Sequence, residues 1–207
     1  MKNIKILSKI FLLFPIFFSF TGKSQTTNYN TDSHFSLSIS LPFKPLNKEN
    51  VKEIEKGMND ITSSNDKLLL VFTINNNDYP NIQVKFTSLP SIKSLPFTEI
   101  VKTYKNMIAN PETLKWAKDK LGPLMKIVKL NYGNQLVNFS KKMFLYIMKA
   151  NTIDYGFLVK VTGMFVLSNG IASINFVCKE IEIENYTEFI YKLYESVIIE
   201  KNYIHIK

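Results

Sequence analysis

The stretch "GIASINFVCKEIEIENYTEFIYKLYESVII", residues 170–199, joins a strand pattern to an amphipathic helix pattern. Asn169-Gly170 stands at its start, and this pair is a strong hairpin signal because both residue types accept positive φ. Beyond residue 184, Asn185 is placed to cap a helix whose apolar side chains recur at helical spacing. The members of this stripe are Tyr186, Phe189, Ile190, Leu193, Tyr194 and Val197. The stretch predicts the return strand of a hairpin, followed by a helix that packs its stripe on a sheet.

The segments that precede this stretch begin with a strand pattern. Residues 35–41, "FSLSISL", alternate apolar side chains with serine, and Pro42 ends the strand. Asn47 is a plausible cap for the helix that follows, because its amide oxygen can accept from a free backbone N–H. Two further strands, "KLLLVFTI" and "NIQVKFTS", flank a turn-rich segment and predict a hairpin.

Two helices and an antiparallel meander are predicted between the hairpin and the final stretch. Thr98 can cap the first helix, Asn110-Pro111 marks the start of the second, and Gly122-Pro123 its end. From residue 124 the chain reads as strands, with a first turn at 132–134. Helices grouped around an antiparallel sheet make an α+β fold, which we predict as one domain over residues 35–207. Residues 25–34 have few apolar groups and are expected to be a flexible leader.

The first 24 residues have the three parts of a secretory signal peptide. A lysine-rich start precedes the uncharged run of residues 10–20, and Gly22 and Ser24 provide the small-residue exit before Gln25. The apolar run is shorter than the ~20 residues of a spanning helix, although an uncleaved signal anchor is the alternative. The only cysteine is Cys178, so the cleavage point lacks the cysteine of a lipoprotein. We expect a secreted or periplasmic protein with no transmembrane segment after cleavage.

Composition argues against several kinds of functional site. Cleavage would remove four lysines and no acid, which lowers the net charge from +9 to +5. Cys178 is expected to be a buried strand thiol, and Trp116 a packing residue. The two histidines, His34 and His205, lie near the chain ends and are expected to be exposed. No hydrolase, redox-thiol or metalloprotease motif is present, so we predict no catalytic residue, cofactor or metal.

Charge is distributed unevenly along the chain. Residues 115–160 carry +7, and residues 180–200 carry −5. Within the first segment, we predict a possible surface for an anionic partner, called here the lysine block: Lys115, Lys118, Lys120, Lys126, Lys129, Lys141, Lys142 and Lys149. A solvated surface is the alternative. Nucleic acid is not expected, because the chain has no arginine. Glu180, Glu182 and Glu184 are expected to alternate along the return strand as a solvated face, not as a calcium site.

Three segments resemble the PsbP/DcrB-like superfamily. They are "FSLSISLP", the region of "FTEIVKTYKNMI", and the ending at residues 170–199 with its Ser196-Val197 pair. The sequence departs from the family where Phe43 follows Pro42, since a tryptophan is common shortly after that proline. The resemblance implies an α/β/α sandwich with a non-enzymatic accessory or binding role. Relatives include photosystem accessory proteins, a periplasmic lipoprotein and a Ran-binding import factor, so the fold does not name a partner.

Together these features predict an exported, non-enzymatic binding or accessory protein of the bacterial cell envelope. A hydrolase or other enzyme with an unrecognised site is one alternative. A peripheral envelope protein bound electrostatically through the lysine block is the other.

Overall fold

The computed structural model describes residues 26–58, 65–75, 77–125 and 127–207, and the side chains at 57–58 and 120–135 lie outside that description. Within these ranges the main sheet has seven strands: β3 (Lys44–Pro45), β4 (Asp66–Thr73), β5 (Asn81–Ser88), β6 (Ile127–Asn138), β7 (Met143–Thr152), β8 (Gly156–Leu167) and β9 (Gly170–Lys179). They lie in the order β3-β4-β5-β9-β8-β7-β6, and every neighbouring pair is antiparallel.

The same part of the chain contains helices and a smaller sheet. The helices are α1 (Lys48–Met58), α2 (Phe97–Ala109), α3 (Pro111–Met125) and α4 (Thr187–Glu195). The smaller sheet has β1 (Thr26–Asn30), β2 (Phe35–Ser40) and β10 (Ile198–Ile199), with β2 in the middle. Short 3₁₀ segments cover Pro90–Ser94, Glu180–Tyr186 and Lys201–Tyr203.

The main sheet separates two layers that we name by the helix each contains. On the α4 face, Ile174 and Phe176 belong to the core that includes β2 and α4. On the α2 face, Met164 and Ile171 pack with residues of α2. The antiparallel sheet with helices on both faces confirms the predicted α+β class and the α/β/α sandwich.

Strand β2 links the smaller sheet to this core. Phe35, Leu37 and Ile39 are no more than 2% exposed, while the serines between them keep partial access to solvent. The Ser196 hydroxyl follows α4 and accepts a hydrogen bond from the Ser38 N–H at 3.0 Å. The alternation read from "FSLSISL" is therefore confirmed, and it determines which side of β2 meets α4.

The structure differs from the expectation that residues 25–34 form a flexible leader. Thr26–Asn30 form β1 and pair with β2, from Thr26 opposite Ser40 to Asn30 opposite Ser36. The edge of β2 supplies backbone partners that the polar composition of the leader did not reveal. Residues 1–24, predicted to be a signal peptide, lie outside the described residues.

Several predicted boundaries are wrong because tertiary pairing overrides local turn signals. The predicted turn at 132–134 lies inside β6, whose pairing with β7 shifts register between Tyr132 and Gln135. Helix α3 continues past Gly122-Pro123 to Met125. Strand β9 ends at Lys179, and the 3₁₀ segment that follows means that the three glutamates do not alternate along a strand.

Local capping and turn predictions give mixed results. Asn47 is confirmed as a cap, since its Oδ1 accepts from the Asn50 N–H at 2.8 Å. The predicted helix start at Asn110-Pro111 is confirmed as well, and there Asn110 Oδ1 accepts from the Glu112 N–H at 2.9 Å. Thr98 and Asn185 are not caps, since α2 begins at Phe97 and α4 follows Tyr186 without a side-chain cap. The hairpin at Asn169-Gly170 is present, but neither residue has positive φ.

The predicted burial of three residues can be compared with the structure. Cys178 is fully buried as expected, and burial raises the pKa of its thiol to about 12. Trp116 is 53% exposed, so its predicted packing role is wrong; the buried side of α3 carries Ala117 instead. His205 is 1% exposed, which contradicts the expectation of an exposed terminal residue. Its ring is covered because the carboxyl-terminal segment lies against the end of β8, where Ile204 pairs with Leu167.

We predict that His205 makes the protein less stable in mild acid. The ring nitrogen Nε2 lies 2.9 Å from the Leu95 carbonyl oxygen, and burial lowers the pKa of His205 below its usual value of about 6.5. Below about pH 6.5 the unfolded chain takes up a proton that the folded chain resists, so the free energy of unfolding falls. Urea unfolding at about pH 7.5 and about pH 5.5 should show a larger acid loss in the wild type than in His205→Gln. Equal losses would contradict this account.

Candidate ligand-binding cleft

A cleft of about 470 Å³ lies between α4 and the part of the main sheet formed by β6, β7 and β8. Most of its lining is apolar. The residues around it are Leu136, Val137, Asn138, Phe139, Ser140, Met143, Leu145, Ile147, Val161, Ile183, Thr187, Ile190, Tyr191, Tyr194 and Glu195. We call this space the α4 cleft.

The floor of the α4 cleft follows from strand alternation. Leu145 on β7 stands opposite Leu136 on β6, and Ile147 stands opposite Val161 on β8. Side chains directly opposite one another in antiparallel strands point to the same face. Leu136 and Leu145 retain partial exposure beside α4, so the cleft exists where apolar sheet residues extend beyond the helix.

The inner wall of the cleft depends on a glycine in β8. A Cβ built on Gly163 would lie 2.7 Å from the ring of Tyr194, which is closer than side chains normally approach. The Tyr194 ring lies against the strand, and its hydroxyl donates to the Val161 carbonyl oxygen at 2.7 Å. Burial raises the pKa of this hydroxyl well above its usual range, so it stays protonated as a donor. Gly163 and Tyr194 together fix the depth of the cleft.

Polar groups are concentrated near the ends of the cleft. Lys141 Nζ lies 2.9 Å from Glu195 Oε2, at the end of α4. Asn138 and Ser140 line the cleft close to this ion pair. Tyr191 is 53% exposed at the rim and can offer a hydroxyl. Such a distribution suits a ligand with an apolar body and a polar end.

The lining does not resemble an acid–base site. Among the described residues that line it, the ionisable side chains are Tyr191, Tyr194 and Glu195, and the Tyr194 hydroxyl is buried and donates a hydrogen bond. Among the described residues, no group of three or more histidine, cysteine, aspartate or glutamate side chains is arranged to hold a metal ion. The lining of the α4 cleft is suited to burying the apolar surface of a ligand.

The structure brings some of the lysine block to this cleft and leaves other members elsewhere. Lys115 and Lys118 lie exposed on α3, and Lys141 pairs with Glu195 at the cleft. Lys149 pairs with Glu180, and neither of these two residues lines the cleft. Lys142 lies over the Phe97 ring at 5.4 Å. Lys120, Lys126 and Lys129 lie outside the described side chains. An anionic-partner surface at the lysine block therefore stays a prediction.

The α4 cleft was not identified from the sequence. The helical stripe contained Ile190 and Tyr194, but it predicted them only as packing residues. An apolar residue in a wall and one in a core give the same sequence pattern, because both face inward. The available signal was the apolar alternation of "MFLYIM" near a helix too short to cover three strands.

We predict that Gly163→Ala destabilises the protein by ~1–3 kcal/mol, the usual cost of overpacking. The added methyl group would push the Tyr194 ring away from β8. Chemical unfolding of Gly163→Ala, Tyr194→Leu and the double variant provides the test. The double variant should lose less stability than the sum of the single losses, because the collision needs both side chains. Additive losses would show that the ring does not limit position 163.

No described helix is long and apolar enough to cross a membrane. No protein-family model and no curated protein match this chain. Among solved structures, the chain is similar to cyanobacterial PsbP (CyanoP) from Synechocystis sp. PCC 6803, with a TM-score of 0.53 and 9% sequence identity. The match covers 87% of this chain and 96% of that chain. At 9% sequence identity, structural similarity is evidence about the fold alone. We conclude that the chain has a PsbP-like fold.

Proposed function

We propose that this chain is an exported, non-enzymatic binding or accessory protein of the bacterial cell envelope, and that it holds a small, largely apolar ligand in the α4 cleft. The observation that carries this proposal is the preformed cleft of about 470 Å³. That size lies within the ~300–1,000 Å³ of typical small-molecule sites.

The shape of the cleft favours a small molecule over a protein partner. Leu145, Ile147 and Val161 form a recessed floor, and α4 rises beside it as a wall. A protein surface would need to insert a side chain to reach that floor, whereas a compact apolar group fits directly. The ion pair between Lys141 and Glu195 lies beside the opening and can contact a polar end of the ligand.

Export is supported by the signal-peptide pattern of residues 1–24. The single thiol agrees with it, because Cys178 is buried and needs no disulfide partner in an oxidising compartment. A non-enzymatic role is supported by the cleft lining, which offers hydrophobic contact and few groups able to move protons. An enzyme with an unrecognised site remains the alternative.

A second candidate function is electrostatic attachment to the envelope. Lys115 and Lys118 favour it, since both are exposed on the same helix and separated by three residues. The ion pairs of Lys141 and Lys149 reduce the positive charge that the lysine block presents to a partner.

We predict that the α4 cleft binds the neutral dye N-phenyl-1-naphthylamine. Leu145→Trp should fill the floor and weaken binding by about tenfold or more, which is ~1.4 kcal/mol or more. Ile198→Trp is the matched control, because it adds the same ring at an exposed position on β10. Fluorescence titration gives the affinities, and thermal unfolding confirms that both variants fold. Equal dye binding by wild type and Leu145→Trp would remove the cleft as the binding site.

We also predict that the mature protein begins at Gln25. Signal peptidase is expected to cut after the small residue Ser24. N-terminal sequencing of the protein purified from its native host provides the measurement. Recovery of an intact amino terminus in the membrane fraction would mean that the segment is an anchor, and the proposal of release would then be wrong.

A further inference from the structure

The α2 face of the main sheet contains a band of polar residues at its centre. Gln83 stands opposite Asn175, and Asn175 stands opposite Thr162, so three neighbouring strands contribute one row. Lys85 stands opposite Ser173 on the same face, and Lys160 lies opposite Val177. We call these residues the polar trough: Gln83, Lys85, Lys160, Thr162, Ser173 and Asn175.

The helices on this face leave the trough between them. Helix α1 packs Val51 on Leu68 and Val71 at one side of the sheet. Helix α2 packs on Met164 and Ile171, and α3 places Ala117 against Ala150 near the other side. Gln83, Lys85, Lys160 and Ser173 keep partial access to solvent, whereas Thr162 and Asn175 are 1% and 2% exposed. The trough therefore has a buried polar bottom and an accessible rim.

Lys160 is the residue that this arrangement does not satisfy. Its cross-strand neighbours are Met148 and Val177, which are apolar. Among the residues that the structure describes, none forms a hydrogen bond or an ion pair with its ammonium group. Removing an ammonium from water without a counter-charge is costly, and a methionine or leucine at this position would avoid that cost.

The side-chain amides of Asn175, at the bottom of the trough, and of Gln83, at its rim, form only long hydrogen bonds within the protein. Asn175 Nδ2 reaches the Gln83 carbonyl oxygen at 3.5 Å, and Gln83 Nε2 reaches Asn81 Oδ1 at 3.5 Å. Both distances exceed the usual ~2.9–3.0 Å of a good N–H···O bond. Asn175 Oδ1 accepts from the Thr162 hydroxyl at 2.8 Å, which turns its amide nitrogen toward Gln83. Two amide donors on β5 and β9 thus share a sheet face with Lys160, whose ammonium has no partner among the described residues.

We propose that the polar trough binds the oxyanion of a small ligand, a carboxylate or a phosphate group, with Lys160 as its counter-charge and the amides of Asn175 and Gln83 as hydrogen-bond donors. This site lies on the opposite face of the sheet from the α4 cleft and does not depend on the function proposed for that cleft. Lys85 contributes positive charge from the other side of β9, where Asp66 is its neighbour.

Binding at this site should depend on pH. Burial lowers the pKa of Lys160 to about 7, and the nearby charge of Lys85 lowers it further in the same direction. Among the described residues, the ionisable side chains on this face include Asp66 on β4, Glu55 on α1, Tyr104 on α2 and Tyr146 on β7. An oxyanion favours the protonated amine, so each bound anion should bring a proton to Lys160. Above pH ~7 the affinity should then fall by about tenfold per pH unit.

The test uses sulfate and acetate as probes, because neither changes its charge between about pH 6 and about pH 9. NMR titration of the mature chain should show saturable shifts at Gln83, Lys160 and Asn175, with tighter binding at the lower pH. Comparison of the two probes distinguishes a preference for a tetrahedral dianion from one for a carboxylate. Absence of saturable shifts with both probes would overturn the proposal.

Lys160→Met provides the decisive variant. It should abolish probe binding while leaving stability unchanged or increased, since it removes a partly desolvated charge that no described side chain neutralises. The matched control is the double variant Lys115→Met and Lys118→Met, which removes exposed lysines from α3 and should bind like the wild type. Probe binding that survives in Lys160→Met, or that disappears equally in the control, would show that general surface charge accounts for the effect and would overturn the proposal.

Discussion

The close approach of β9 to β5 at Gly170 constrains the register of the central strands of the main sheet. A Cβ at this position would collide with the Thr87 carbonyl oxygen and come within 2.7 Å of the Phe86 ring. Gly170 also closes the hairpin by pairing with Leu167 of β8. Because side chains alternate with period two, a slip of one residue here would move every side chain of β9 to the other face. The absence of a side chain at Gly170 therefore helps to fix the pairing of β9 with its two neighbours, β5 and β8.

This register gives the two faces different chemistry from the same strands. On β9, Ile174 and Phe176 enter the apolar core with α4, whereas Ser173 and Asn175 face the opposite side. The helices cover each face incompletely, and what remains open reflects the residues beneath it. Beside α4 the uncovered surface is apolar and forms the α4 cleft. Between α1 and the α2–α3 pair it is polar and forms the trough.

Sequence-based prediction succeeds for the helices and strands whose local hydrophobic pattern agrees with the environment they meet in the folded protein. The alternation of Phe35, Leu37 and Ile39 and the stripe containing Leu193 have one apolar side each, and both are buried as expected. Prediction fails where a distant partner changes a local preference. Gly133 signals a turn, but pairing with β7 keeps β6 continuous through a register shift. The polar residues 26–30 signal mobility, but the free edge of β2 pairs with them. Both candidate sites depend on cross-strand register, which local periodicity does not specify.

Apolar burial in the core of the domain can offset the unfavourable free energy of the polar residues in the trough. No internal disulfide is possible with one cysteine. Most of the largest fully buried side chains, among them Phe72, Phe165 and Phe176, lie in the core on the α4 face, and Phe97, Phe144 and Ile171 lie on the α2 face. Apolar burial of this kind contributes ~25 cal/mol per Å², so the α4 face can offset an unfavourable group elsewhere. We expect Lys160 to be such a group, since an apolar residue at its position would avoid the cost of desolvating an ammonium that no described side chain neutralises. A residue that lowers stability and lies beside two weakly bonded amides is better explained by what it binds than by what it packs against.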